Sequence, residues 1–211
     1  MVKGGAKDTQ GHPRTQAERS AATRDALLAA GRRLFAERGF AGTGREEIVA
    51  AAGVTRGALQ HHFGDKTSLF EAVYETVEKE LVDAIAVAAM AAGDDPVAQL
   101  RAGCQAYLDA VLDPAVQRIC SVDGPAVLAT DVRQAISERY ALGLVRESLD
   151  RAIREGLIAP APADAFARIL LAGAVAAADY VATAADPRAA REEAGKTLDV
   201  FLDRLAIDRQ R

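Results

Sequence analysis

Residues 45–63 read REEIVAAAGVTRGALQHHF, and the fold turns on how this stretch is read. Two short helical segments, Arg45 to Ala52 and Arg56 to about His62, flank the tripeptide Gly53-Val54-Thr55. Gly53 stops the first segment, because a tight turn wants a left-handed residue there. Thr55 is a capping residue type for the second. Ile48, Val54, Leu59 and Phe63 fall on the inward sides and lock the two helices at a fixed angle. What remains on the second helix is Arg56, Gly57, Ala58, Gln60, His61 and His62. That face is short, polar and lightly basic, and it suits a major groove about 12 Å wide. Gly57 and Ala58 permit close approach of the backbone. The pattern is a helix-turn-helix. The same turn also serves as a tight hairpin in any helical bundle, so the turn alone leaves both readings open.

Helices continue on either side. Upstream, Leu27, Ala30, Leu34 and Phe35 recur at helical spacing. They predict a helix from Thr15 or Ser20 to Arg38, with Thr15 and Glu18 spaced as a capping box and Gly39 as the stop. Phe40 is expected to fold back on the core. Thr43 and Glu46 also have capping-box spacing, which makes Thr43 the expected cap of the 45–52 helix. Gly64 closes the third helix, and Asp65 opens a fourth running to about Ala92. Further helices are expected at 95–112, 115–121, 124–155 (broken or bent), 163–184 and 188–206, punctuated by Asp-Pro and Gly/Pro pairs. Strand signals are scarce and no internal repeat is present. The expected fold is all-α, about nine helices: a basic, disordered tail (1–14), a three-helix head (15–66) and a larger helical body (67–211).

Composition narrows the function. Residues 1–66 carry 11 Lys and Arg against 7 Asp and Glu, and residues 67–211 carry 15 against 23. A basic head on an acidic body concentrates attraction for phosphate at one end. The tail, with Lys3, Lys7, Arg14 and Arg19, trails along DNA, enters a minor groove or is merely a solvated leader. No apolar run approaches the ~20 residues of a membrane span, and the N-terminus has no apolar signal core. Two distant cysteines, Cys104 and Cys120, make no disulfide framework, so a cytoplasmic protein without membrane contact is expected. All three histidines, His12, His61 and His62, precede residue 67. The body therefore lacks a histidine base, a Ser-His-Asp set and a His-containing zinc site. No Gly-rich phosphate loop occurs. Neither an enzyme nor a cofactor or metal site is expected.

The head settles the ambiguity of the turn. Leu34-Phe35-Ala36-Glu37-Arg38-Gly39-Phe40, Thr43, Glu47-Ile48, then Ala52 through Leu59, His61, Phe63 and Lys66 resemble the TetR family of bacterial regulators. The resemblance covers about residues 20–70. It implies that Thr43 and the start of the second helix touch a phosphate. It places Thr55, Arg56, Gly57, Gln60 and His61 at or beside the groove, with Ala58 and His62 on the same short face. It gives Lys66 a phosphate, a role that a helix N-terminus independently favours. Gln60 and His62 stand where the family often has Tyr, and Val49 where it prefers Ala. Gln60 reads an adenine edge or a phosphate; Arg56 reads guanine or binds phosphate. A binding protein whose head no longer grips DNA is the alternative.

In the body, apolar helix faces carry a few thiol and phenol groups. The candidates for a small-molecule cavity are Cys104, Tyr107 and Leu108, Ile136 and Tyr140, and Phe166 and Leu170; each also suits plain core packing. The resemblance implies a ligand-binding and dimerisation domain, with the last two helices (about 163–206) pairing with their copies. The implied protein is a ligand-responsive regulator, a homodimeric repressor on a near-palindromic operator in double-stranded DNA, released by a small effector, with the fourth helix as lever.

Overall fold

The computed structural model describes residues 15–207, and the tail expected over 1–14 lies outside them. Nine continuous helices make up the described chain. They are α1 (Gln16–Arg38), α2 (Arg45–Ala52), α3 (Arg56–Phe63), α4 (Lys66–Ala91), α5 (Pro96–Ala110), α6, α7, α8 (Ala163–Thr183) and α9 (Pro187–Leu205). Helix α6 is composite: Pro114–Val116, a π-helical stretch Gln117–Asp123, and Gly124–Val127. Helix α7 is likewise Thr130–Ser137, π-helical Glu138–Leu142, and Gly143–Arg154. An isolated antiparallel bridge, Ile158 to Ala206, ties the α7–α8 connection to the end of α9.

Local chemistry sets most boundaries. Thr15 caps α1 in a full capping box with Glu18, as the spacing predicts. Asp65, Asp95, Asp113 and Asp186 cap the helices that follow them, the last three with Pro in the first turn. The start of α2 corrects the expectation. Gly44, not Thr43, is the cap, and Glu47, not Glu46, reaches back to the Gly44 N–H at 2.8 Å. Thr43 is unavailable because its hydroxyl turns inward to the Gly39 carbonyl at 2.8 Å. The sixth and seventh helices are also redrawn. The helix entering at Pro114 runs on to Val127, and the chain breaks at the extended Leu128. The break expected within 124–155 therefore falls at Leu128, and the helix after it contains a π-helical stretch, Glu138–Leu142.

The first core cluster belongs to the head but does not stop at residue 66. Leu27, Leu34, Phe35, Ile48 and Leu59 pack with Leu69, Phe70 and Val73 of α4, and with Ile119, Leu128 and Ile136 of the body. Phe35, Phe40 and Phe70 form an aromatic triangle with centroids 5.2–5.9 Å apart. Each such pair adds about 0.5–1.5 kcal/mol beyond area burial. Two further clusters join α5, α8 and α9, one of them also α7. Across α5 and α9 runs a polar seam: Arg101 pairs with Asp199 at 2.9 Å, and Arg191 reaches Asp109 at 2.6 Å.

One expectation about composition needs correction. Among the described residues, α8 alone is long and apolar enough, by length and composition, to cross a membrane, with mean hydropathy 1.6 over its best window. Arg168 and Asp179 interrupt it, so no unbroken run shows in the sequence. Only 28% of that window is buried within the chain.

Candidate DNA-reading helix and effector cavity

Helix α3 is held from one side only. Gly53 takes the left-handed conformation (φ 65°, ψ 31°) that the turn requires. Val54 N–H then bonds the Val49 carbonyl at 3.2 Å and starts the chain back. Leu59 is buried and Phe63 half-buried, with the Arg24 guanidinium 5.3 Å above the Phe63 ring. The other face is open. Thr55, Arg56, Gly57, Gln60 and His61 are exposed, and Ala58 and His62 half-buried. Thr55 occupies the cap position, yet its side chain makes no cap hydrogen bond. Arg56 lies 3.3 Å from Glu46, with both side chains more than 70% exposed. Such a surface pair is worth about 0–1 kcal/mol and leaves Arg56 able to exchange partners. A Cβ on Gly57 meets only the Thr55 hydroxyl, at 3.9 Å, so packing does not demand glycine there. His61 and His62 sit edge to face, and no metal-binding cluster of His, Cys, Asp and Glu exists among the described residues.

Two expected phosphate ligands are otherwise engaged. Thr43 is 1% exposed, so its hydroxyl cannot meet a phosphate. The Lys66 ammonium donates to the carbonyls of Phe40 (2.9 Å) and Thr43 (3.0 Å) and stands 4.0 Å from the Phe40 ring centre. Lys66 fastens the α1–α2 loop to the start of α4. The same loop is gripped by the body: Phe40 N–H donates to Asp123 at 2.7 Å, and Arg118 lies 3.4 Å from that carboxylate. Gly39, at φ 73°, lets the chain pass Arg118; a Cβ there falls 2.0 Å from its guanidinium. These contacts link α6 to the head.

The body holds two adjoining, half-open cavities that share Glu78, Tyr107, Ser137 and Leu171 as a common wall. The inner chamber, about 90 Å³, is lined mainly by aliphatic side chains of α4, α5, α7 and α8. The outer vestibule, about 590 Å³, adds Cys120, Arg133, Arg168 and Asp179. Of the candidates, Cys104, Tyr107 and Leu170 line the chamber. Four candidates do not. Leu108 is fully buried beside Val111 and Val181, and Ile136 packs into the head cluster. Tyr140 donates to Glu75 at 2.9 Å, and Phe166 packs in the cluster of α7, α8 and α9. Burial pushes the Cys104 thiol up to about 11, and Cys120 also well above the usual range, so both stay protonated and unreactive at neutral pH.

Sequence reasoning missed Glu78. It lies four residues after Tyr74 and three before Leu81, on the apolar stripe of α4, which is a legible signal. Burial raises its carboxyl above the ordinary glutamate range, with Tyr74 and Cys120 as hydrogen-bonding neighbours.

A short helix presented bare on a tight turn, beside a helical body with an internal cavity, defines a helix-turn-helix transcriptional regulator. The comparisons agree. The family described as "Tetracyclin repressor-like, C-terminal domain" matches residues 97–205, and "Bacterial regulatory proteins, tetR family" matches 27–73. A TetR-family transcriptional regulator from Pectobacterium atrosepticum, known by crystal structure, shares 34% identity with a TM-score of 0.81, over 92% of this chain and 99% of that one. SmeT, solved with triclosan, shares 26% identity with a TM-score of 0.66, over 89% and 93%. The transcriptional regulator CymR of Pseudomonas putida is 30% identical over 58% of this chain. The chain matches 62% of CymR's length, and 27% of that of AcrR from Shigella flexneri. The chain belongs to the TetR family. These relatives are regulators of transcription, not enzymes.

Proposed function

We propose that the protein is a cytoplasmic, homodimeric repressor that reads a near-palindromic operator with α3 and releases it when a small, largely apolar effector fills the chamber. The carrying observation is the open face of α3, whose polar side chains are not needed by the fold. Arg56 and Gln60 reach base edges, Thr55 and His61 lie beside them, and Gly57 with Ala58 lets the backbone approach. Thr43 and Lys66 act indirectly, by shaping the loop before α2.

A single eight-residue helix reads too few bases, and two copies on a two-fold axis present them about 34–36 Å apart. The dimer surface is the outer face of α8 and α9. Ile169, Tyr180, Val200 and Phe201 are 40–64% exposed there, on helices otherwise rich in small residues. Burying them against a second copy removes these apolar side chains from water. The aliphatic chamber supports an apolar effector, as does the capture of triclosan by the similarly folded SmeT. An effector that favours a form with another α3 spacing shifts the population off DNA. Selection of bound duplexes from a random pool, followed by release with candidate ligands, tests the reading. The expected product is a two-fold-symmetric site bound by a dimer. A monomer that enriches no duplex at low salt refutes it.

A further inference from the structure

Among the described residues that line the two cavities, Glu78 is a carboxyl with no ion-pair partner and no cation acting on it. Among the residues lining them, the acids are Glu78, Glu138 and Asp179, and the bases Arg133 and Arg168. Arg168 is paired with Glu138. Arg133 acts on Asp179 across the vestibule. Arg32 of α1, a cation whose field reaches Cys120, is bound to Glu80 at 2.6 Å. The side chains that hydrogen-bond the Glu78 carboxyl are the Tyr74 hydroxyl and the Cys120 thiol, both neutral. Desolvating a carboxylate is costly unless a cation answers it. Two tyrosine rings, Tyr74 and Tyr107, adjoin it, and aromatic rings beside a carboxylate are the usual surroundings of a bound ammonium.

We propose that Glu78 is the polar anchor of the effector site and selects a monocationic amine, whose apolar body fills the aliphatic chamber while its ammonium sits at the wall shared with the vestibule. This deepens the effector reading given above and rests on it. The ammonium donates to the Glu78 carboxylate and holds it ionised. An uncharged isostere leaves that desolvation uncompensated, and a carboxylate in the same place adds repulsion. Nothing else in the chamber can answer a charge, since its other polar members are a thiol, a phenol, two serines and an amide.

Three probes of nearly one shape, small enough for the chamber, separate the possibilities: n-butylamine, 1-butanol and butyrate. Binding is measured by calorimetry on the intact dimer, and release by mobility shift on the selected operator. The amine is expected to bind at least tenfold tighter than the alcohol, and the butyrate weakest. Glu78→Gln is expected to erase the preference, so that the amine binds no tighter than the alcohol. The wild-type ranking stands on its own if the variant folds poorly. Equal binding of amine and alcohol, both releasing DNA, overturns the cation assignment and leaves the effector cavity intact. Tighter binding of the butyrate transfers the anchor to Arg133 and also overturns it. If no probe binds or releases DNA, the cation assignment falls together with the effector reading.

Discussion

Replacing Lys66 by methionine separates two roles that the sequence cannot tell apart. The ammonium makes two charge-assisted hydrogen bonds, at 2.9 and 3.0 Å, to loop carbonyls, and stands 4.0 Å from the Phe40 ring centre. Bonds to a charged group contribute about 1.5–3 kcal/mol each, and the half-buried setting argues for the lower end. The ring contact adds about 0.5–1 kcal/mol. Methionine keeps the apolar stem and recovers part of the loss. The expected net cost is about 2–3 kcal/mol, or roughly 5–10 °C in Tm for a chain of this size. Thermal denaturation by circular dichroism measures it, and operator affinity against salt supplies the second readout. A phosphate ligand in each of two copies would contribute about 1.8 to the slope of log K on log [salt]. Here the slope is expected to stay the same, while Tm falls. An unchanged Tm with a slope shallower by nearly two units returns Lys66 to the DNA and refutes the loop-fastening role.

Gly57→Ala should raise stability by about 0.5–1 kcal/mol, since a Cβ meets no crowding inside a helix, yet weaken operator binding at least tenfold; unchanged affinity by fluorescence anisotropy would move the α3 backbone away from the duplex. Asp123→Ala leaves the Phe40 N–H without its acceptor at 2.7 Å and should cost about 1–3 kcal/mol, and it should raise the effector concentration needed for release. An unchanged release curve removes α6 from the coupling route. Glu78→Gln should stabilise the ligand-free protein at neutral pH. Burial raises the Glu78 carboxyl, opposed in part by Tyr74 and Cys120, so the folded state binds the proton more tightly than the unfolded. Stability is therefore lost as pH climbs from the ordinary glutamate range through the raised one. The gain over wild type should be visible by calorimetry near pH 8 and vanish at acid pH; a variant less stable at every pH contradicts the sign.

The head was readable because its signals are local. Gly39, Gly53 and Gly64 end helices by backbone conformation, and Thr15 and Asp65 begin them through bonds spanning three residues. Where the expectation erred, the deciding contacts were distant. Lys66 finds its acceptors 23 and 26 residues back, and nothing in its spacing betrays them. Thr43 looked like a cap because the next residue, Gly44, has no side chain to advertise the role. In the body, periodicity shows which face of α5 is apolar but not which part of that face borders empty space. Tyr107 and Leu108 are neighbours, and only the first lines the chamber. Glu78 could have been found, as a carboxylate on an otherwise oily stripe.

The economy of α3's attachment has a practical corollary. With Leu59 its only fully sheltered side chain, the outward letters of this helix can be rewritten while the scaffold keeps its shape. A regulator so built lends itself to retargeting: new promoters by exchanging five or six surface positions, with the sensing half carried along unaltered. Swapping the chamber's wall instead would yield switches that answer different chemicals at one address.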